Sequence, residues 1–384
     1  MRSMRRGPQD APAADAVFVP PEKARLASEN RGGRTKLYNL QILRFVAAFA
    51  VVLFHLGAGY QAEFGMARNV FGIGAAGVDI FFVLSGFIIA YTADPDRGLL
   101  YFIWRRIVRI VPLYWTLTFG LAAIALILPG MLNSTVVDGE SLLKSLFFIP
   151  YERDGGGVKP ILFLGWTLNY EMFFYALYAV CIGAGFRTGL APLILVLIIV
   201  AVGQVAGFEN VVWNFYTNPI LLEFAMGIAL CILYRQYADL FTKSARYLVL
   251  ALIAAFTAKL AFPGVTSIWA TAIPAALLVA AALSLPTAKT PLVAFLVLLG
   301  DASYSLYLSH PYILQLWVKA SPPGLGIGVH LAMGMVMCVV AVAVSVAMYR
   351  LIERPSQRLL LGQNRQAMAP PAISATATNG SRPG

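Results

Sequence analysis

From Leu37 onward the chain alternates long apolar runs with short polar and basic breaks. The first run, Leu40 to Tyr60, reads LQILRFVAAFAVVLFHLGAGY, and others follow at about 72–92, 108–130, 163–186, 190–207, 217–234, 246–262, 266–285, 292–317 and 327–349. Runs of roughly 20 apolar residues match the hydrocarbon thickness of a bilayer, and inside it a lone segment satisfies its backbone only as a helix. The pattern predicts an all-α, polytopic membrane bundle of about ten transmembrane helices. Met1 to Lys36 and Gly362 to Gly384 show no such periodicity, so residues 37–361 are expected to form the membrane domain between two disordered tails. No apolar core follows MRSMRR at signal-peptide distance, and no internal or inverted repeat is evident.

Composition agrees: 384 residues, 59% hydrophobic and 12% charged, with a mean hydropathy of +0.74, carry too much apolar surface for a water-soluble core. The net charge of +11 would suit nucleic acid if it were gathered on a soluble domain. Instead the basic residues are parcelled among alternate loops, which points to a membrane surface and no nucleic-acid partner. Most of the 29 lysines and arginines fall on the side of the N-terminus, the exceptions being Arg68, Lys144, Arg153, Lys159, Lys259 and Lys319. The positive-inside rule then puts both termini in the cytoplasm. Cys181, Cys231 and Cys338 lie in apolar runs without metal spacing and read as small apolar residues.

The polar residues inside these runs carry the candidate chemistry. Arg44 and His55 are eleven residues apart, which returns to within about 20° of one helix face at a separation of about 16 Å. An intramembrane charge costs roughly 2.5 to 3.5 kcal/mol on insertion scales, so such groups mark pathways or reaction sites. Arg44 lies near enough to the interface to snorkel instead; His55 does not. In GVDIFFVLSGFII, Asp79 sits at a depth similar to that of His55, and a carboxylate on one imidazole nitrogen would fix the tautomer of a general base. A structural pair pinning two helices is the alternative. Ser85 and Gly86 read as close-packing positions.

Arg105, Arg106 and Arg109, in YFIWRRIVRIVPLYW, stand at the cytoplasmic entrance of the third span. Guanidiniums there suit phosphate or pyrophosphate, and equally anionic lipid head groups. GWTLNYEMFFYALY brings Trp166 and Glu171 to the outer end of the fourth span, where Trp166 either stacks on a sugar or joins the aromatic belt. Glu171, one turn and a half into the span, suits either the positioning of an acceptor hydroxyl or a pairing with Arg or His. GDASYSLYLSHPYIL places Ser303 and His310 on one face with His310 toward the outer end, as a second acceptor-side group or an interfacial histidine. His330 opens the last span, and Glu223 is a buried carboxylate without an assigned role. Neither a nucleotide-binding glycine loop, a paired-cysteine metal site nor a GxSxG elbow occurs, so no metal and no serine triad is expected.

Taken in order, LQILRFVAAFAVVLFH, GVDIFFVLSGFII, WRRIVRIVPLYW, GWTLNYEMFFYALY, GDASYSLYLSHPYIL and IERP closely resemble the integral-membrane acyltransferase 3 family over roughly Leu37 to Leu361. The WTLNYEMFFY wording is most similar to that of its exopolysaccharide, succinoglycan-type O-acetyltransferases. The resemblance implies a multi-pass protein of the bacterial inner membrane that transfers an acyl group, commonly acetyl from cytoplasmic acetyl-CoA, to a hydroxyl of an exported or cell-surface glycan. Acetyl-CoA would be a co-substrate, with no tightly bound cofactor. Carried over by position, the family's first-span pair falls on Arg44 and His55, His55 as the catalytic residue. The basic cluster falls on Arg105, Arg106 and Arg109, the aspartate on Asp79 and the fourth-span glutamate on Glu171. His55 would either deprotonate the acceptor hydroxyl or first accept the acyl group, with Trp166, Glu171 and His310 on the acceptor side. Polysaccharide synthesis or export proteins are the expected protein partners. Competing readings are a transporter or flippase of a lipid-linked glycan, a non-catalytic export subunit, and an acyltransferase acting on a lipid or small molecule.

Overall fold

The computed structural model describes residues 37–128, 137–153, 156–261, 269–286, 288–320 and 326–367. Helices α1 (Tyr38–Phe64), α2 (Ala76–Thr92) and α3 (Gly98–Ile127) are followed by the short α4 (Gly139–Leu146), then α5 (Gly165–Gly183), α6 (Leu190–Ala206), α7 (Val211–Tyr216) and α8 (Leu221–Gln236). Next come α9 (Ala238–Lys243), α10 (Ala245–Ala261), α11 (Trp269–Ser284), α12 (Pro291–Asp301), α13 (Ser303–Ala320) and α14 (Ile327–Met348), which passes through a π-helical turn, Tyr349–Glu353, into α15 (Arg354–Ala367). Among the described residues there is no strand, only an isolated bridge between Glu152 and Val158.

Among the described residues five helical stretches are long and apolar enough to cross a membrane, six if the bent pair α12–α13 counts as one. The chain is thus a multi-pass membrane protein, but the sequence-based count of about ten spans is not reproduced by this measure. Helices α6 and α11 are apolar but short, and α5 carries Asn169, Glu171 and several tyrosines that lower its hydropathy. The run at 292–317 is not one helix: it bends by 67° where Gly300-Asp301-Ala302-Ser303 interrupts it, a small and polar stretch with weak helix propensity. The third helix begins ten residues earlier than its apolar run, at Gly98, so the basic cluster lies within α3 and not ahead of it. Residues 362–367, read from sequence as the start of the C-terminal tail, belong to α15; the N-terminal tail and residues 368–384 lie outside the described residues.

Close backbone contact sets the arrangement around the site. A methyl group added at Gly86 of α2 would collide with the carbonyl of Phe224, and one at Gly227 of α8 with that of Val83, so these two helices meet through small residues. Gly74 and Gly77 do the same against Ala50 and Ala47 of α1, fixing an antiparallel register between α1 and α2. Arg235 in the last turn of α8 donates to the carbonyls of Ala90 (3.2 Å) and Tyr91 (2.9 Å), satisfying acceptors that the end of α2 leaves open. At the opposite end of the bundle Ser145, fully buried, accepts from the Ile161 amide at 2.9 Å and pairs with the Tyr151 hydroxyl at 3.0 Å. Tyr114 and Trp115 of α3 donate to the carbonyls of Ser145 and Leu146, each at 3.0 Å. These bonds pin the α4–α5 connection, which carries Phe163, onto α3.

Candidate active site

Arg44 and His55 sit on one face of α1 but look into two different spaces. The first is a narrow slot lined by Arg44, Ser85, Arg106, Arg109, Glu171 and Tyr175. Glu171 accepts from Ser85 Oγ at 3.2 Å and from the Tyr175 hydroxyl. Arg106 donates to Thr92 Oγ1 at 2.7 Å and lies over the rings of Phe102 and Tyr175 at 5.2 and 5.6 Å. Its Nε is buried with no hydrogen-bond partner among the described residues. Arg105 is exposed and donates to the Tyr101 hydroxyl at 2.9 Å, outside the slot. Three guanidiniums against one carboxylate leave the lining with excess positive charge, and the unspent Nε adds a donor that an anion would satisfy.

A second carboxylate stands behind these arginines. Glu353 is 5% exposed; it accepts from Ser305 Oγ at 2.8 Å and Gln357 Nε2 at 3.3 Å, and its charge acts on both Arg44 and Arg109. Sequence reasoning quoted IERP as wording and gave this glutamate no role. The π-helical turn is what brings it inward, and an acidic residue directly following an apolar run was the available signal.

The second space, the wider of the two, opens at the other end of α1 and is lined by His55, Tyr60, Glu63, Phe163, Gln315 and His330 among others. Aromatic and imidazole rings separate the two. Phe81 and Tyr307 line the slot with centroids 5.8 Å apart; Tyr307 is 6.3 Å from His310, which is 5.1 Å from His55. His55 then meets Phe163 at 5.5 Å. His55 Nδ1 lies 3.2 Å from the Val51 carbonyl and His310 Nδ1 3.0 Å from that of Leu306. A carbonyl only accepts, so each neutral ring carries its proton on Nδ1 and a lone pair on Nε2, the form a base needs.

The structure brings His55 and His310 together, but not Asp79 and His55. The α1-facing side of α2 runs through Gly77 and Phe81, and Asp79, two residues from each, is turned about 200° away. There its carboxyl faces that of Glu223 on α8. The glycine register also puts Asp79 level with Phe45, about 15 Å along α1 from His55. The tautomer of His55 is therefore held by a backbone carbonyl, and Glu223, left without a role by the sequence, acquires Asp79 as neighbour. Glu171 lines the cationic slot and not the His55 cavity. Trp166 packs edge-on against Phe82 and Tyr170 at 6.3 and 6.0 Å, away from His55. His330, read as merely opening a span, lines the second cavity, its ring 5.0 Å from Phe64 and its carbonyl accepting from Tyr60 at 2.8 Å.

The site thus lies in a helical membrane bundle, with buried cations on one side of a histidine and an open cavity on the other. The family profile described as "acyltransferase domain" matches residues 37–350, and the chain belongs to that family of acyltransferases, as an O-acyltransferase. It is 37% identical to the exopolysaccharide production protein ExoZ of Rhizobium meliloti (strain 1021), over 75% of this chain and 91% of the relative. It is 26% identical to the acyltransferase MdmB of Streptomyces mycarofaciens, over 87% of this chain and 95% of that one. No solved structure matches the chain significantly.

Proposed function

We propose that the protein moves an acyl group, probed first as acetyl, from acyl-CoA on the cytoplasmic side of the inner membrane to a hydroxyl of an exported or cell-surface polysaccharide. The observation that carries this is the position of His55, between a narrow cation-lined slot and a wider cavity at the opposite end of the bundle. The end bearing Arg97, Arg187 and Arg235 faces the cytoplasm under the positive-inside rule. With α5, α6, α10 and α11 as crossings beside the six longer stretches, the crossings are even in number and both termini lie there too. The name of the Rhizobium relative supports a polysaccharide acceptor.

In this reading Arg44, Arg106 and Arg109 hold the CoA phosphates, and Glu171 and Glu353 hold the arginines. The thioester arm passes up the slot, past Tyr307, to His55. Nε2 of His55 takes the proton from the acceptor hydroxyl as its oxygen attacks the thioester carbonyl. The carbon–sulfur bond then breaks, the imidazolium returns its proton to the departing CoA thiolate, and the sugar ester leaves by the outer cavity. His310, fully buried beside His55 and outside the lining of the second cavity, keeps the ring in place. Neither metal nor redox group enters the balance.

Mass analysis of surface glycans from cells with and without the gene tests activity and acceptor together. Ester groups present with the gene and absent without it are expected; identical glycans would refute the polysaccharide reading.

A further inference from the structure

The acceptor oxygen must come within hydrogen-bond reach of His55, so the acceptor has to occupy the space that His55 lines. That space contains neither Trp166 nor Glu171. Resting on the acyl-transfer reading above, we propose that the cavity between α1 and α13 is the acceptor site and takes an uncharged segment of two or more linked sugars. Glu63 and Gln315 would bond its hydroxyls, and the Phe163 ring would cover a sugar C–H face.

Four observations support the assignment. Phe163 stands directly against His55 at 5.5 Å, giving the apolar platform that sugar rings use beside polar edges. Glu63 and Gln315 are exposed at the cavity mouth and engage no other described residue in a hydrogen bond or ion pair, so their polar atoms are available. Glu63 is eight residues beyond His55, about 12 Å along α1; a group that far from the reacting centre meets a neighbouring sugar and not the one being acylated. A carboxylate there also repels acidic sugars, hence an uncharged segment at this point of the chain.

Gly59 makes the proposal testable. It lines the cavity, sits in the helical interior of α1, and a Cβ added to it meets nothing within 4 Å. A large side chain there would fill the cavity with little cost to the fold. The full chain would be produced in its host as wild type, Gly59→Phe and the double variant Glu63→Gln/Gln315→Ala. Ester content of the host's own exported glycan would be measured beside the acetyl-CoA affinity of each purified protein. Gly59→Phe should lower glycan esters by at least about tenfold with acetyl-CoA affinity unchanged, and the double variant should lose esters without losing donor affinity. If Gly59→Phe does not fold, the double variant alone decides. Wild-type ester content in Gly59→Phe or in the double variant overturns the acceptor site while leaving acyl transfer intact. Glycan without esters even in wild type would overturn the transfer reading and the site with it.

Discussion

Replacing Arg106 by Ala should weaken the acyl-CoA donor far more than the acceptor. Arg106 is 9% exposed, spends one terminal nitrogen on Thr92 Oγ1 at 2.7 Å, and has a buried Nε without a partner. A phosphate in the slot would use the remaining donors in charge-assisted bonds worth roughly 1.5 to 3 kcal/mol. Because such contacts are made in ground state and transition state alike, the loss falls on KM, raising it roughly 10- to 150-fold with kcat little changed. Arg106→Lys keeps the charge but not the planar fork, so it should fall between wild type and Ala. Glu171 and Arg106 act in one network, so Arg106→Ala/Glu171→Gln should cost less than the two single changes added together. The assay is steady-state transfer by purified protein in lipid nanodiscs, with donor and acceptor varied separately. An unchanged donor KM with a raised acceptor KM in Arg106→Ala would refute the donor-slot argument and return the cluster to lipid binding.

Asp79→Asn should leave kcat near wild type, because Asp79 faces Glu223 and not His55; a loss as large as that of His55→Ala would restore Asp79 to the catalytic step. Gly86→Ala should lower the thermal midpoint in detergent by an amount reflecting about 1 to 3 kcal/mol of overpacking against the Phe224 carbonyl, and an unchanged midpoint would contradict the α2–α8 contact. Ser145→Ala removes the acceptor of the Ile161 amide and should destabilise the α4–α5 connection by about 1 to 3 kcal/mol, read as faster proteolysis between residues 137 and 164. Proteolysis at the wild-type rate would remove Ser145 from that role.

The apolar runs made the helices legible, since backbone satisfaction in a bilayer leaves few alternatives. Their ends were less so: the first turns of α3, Gly98 to Arg109, are helical although Arg105, Arg106 and Arg109 interrupt their apolar positions. Arg44 and His55 were legible because one helix and its periodicity relate them. Asp79 was misplaced because depth alone was used, when the spacing of Gly77, Phe81 and Gly86 already divides α2 into an α1-facing and an α8-facing side. The partners of Glu171 and Glu353 arise from packing among α2, α3, α5, α13 and the π turn, which no single run encodes. The break at Gly300-Asp301 has a local signature, yet its 67° bend depends on where Gly300 abuts Gln41 of α1.

The central claim is that His55 mediates transfer of an acyl group from CoA to a glycan hydroxyl. Its most direct test uses purified protein, isotopically labelled acetyl-CoA and glycan isolated from cells lacking the gene. Wild type should place label on the glycan as an alkali-labile ester, and His55→Ala should bind acetyl-CoA normally while transferring about 10² to 10⁴ times more slowly, the span expected for a lost general base. Label appearing on the glycan at the wild-type rate in a folded, donor-binding His55→Ala protein would contradict the account.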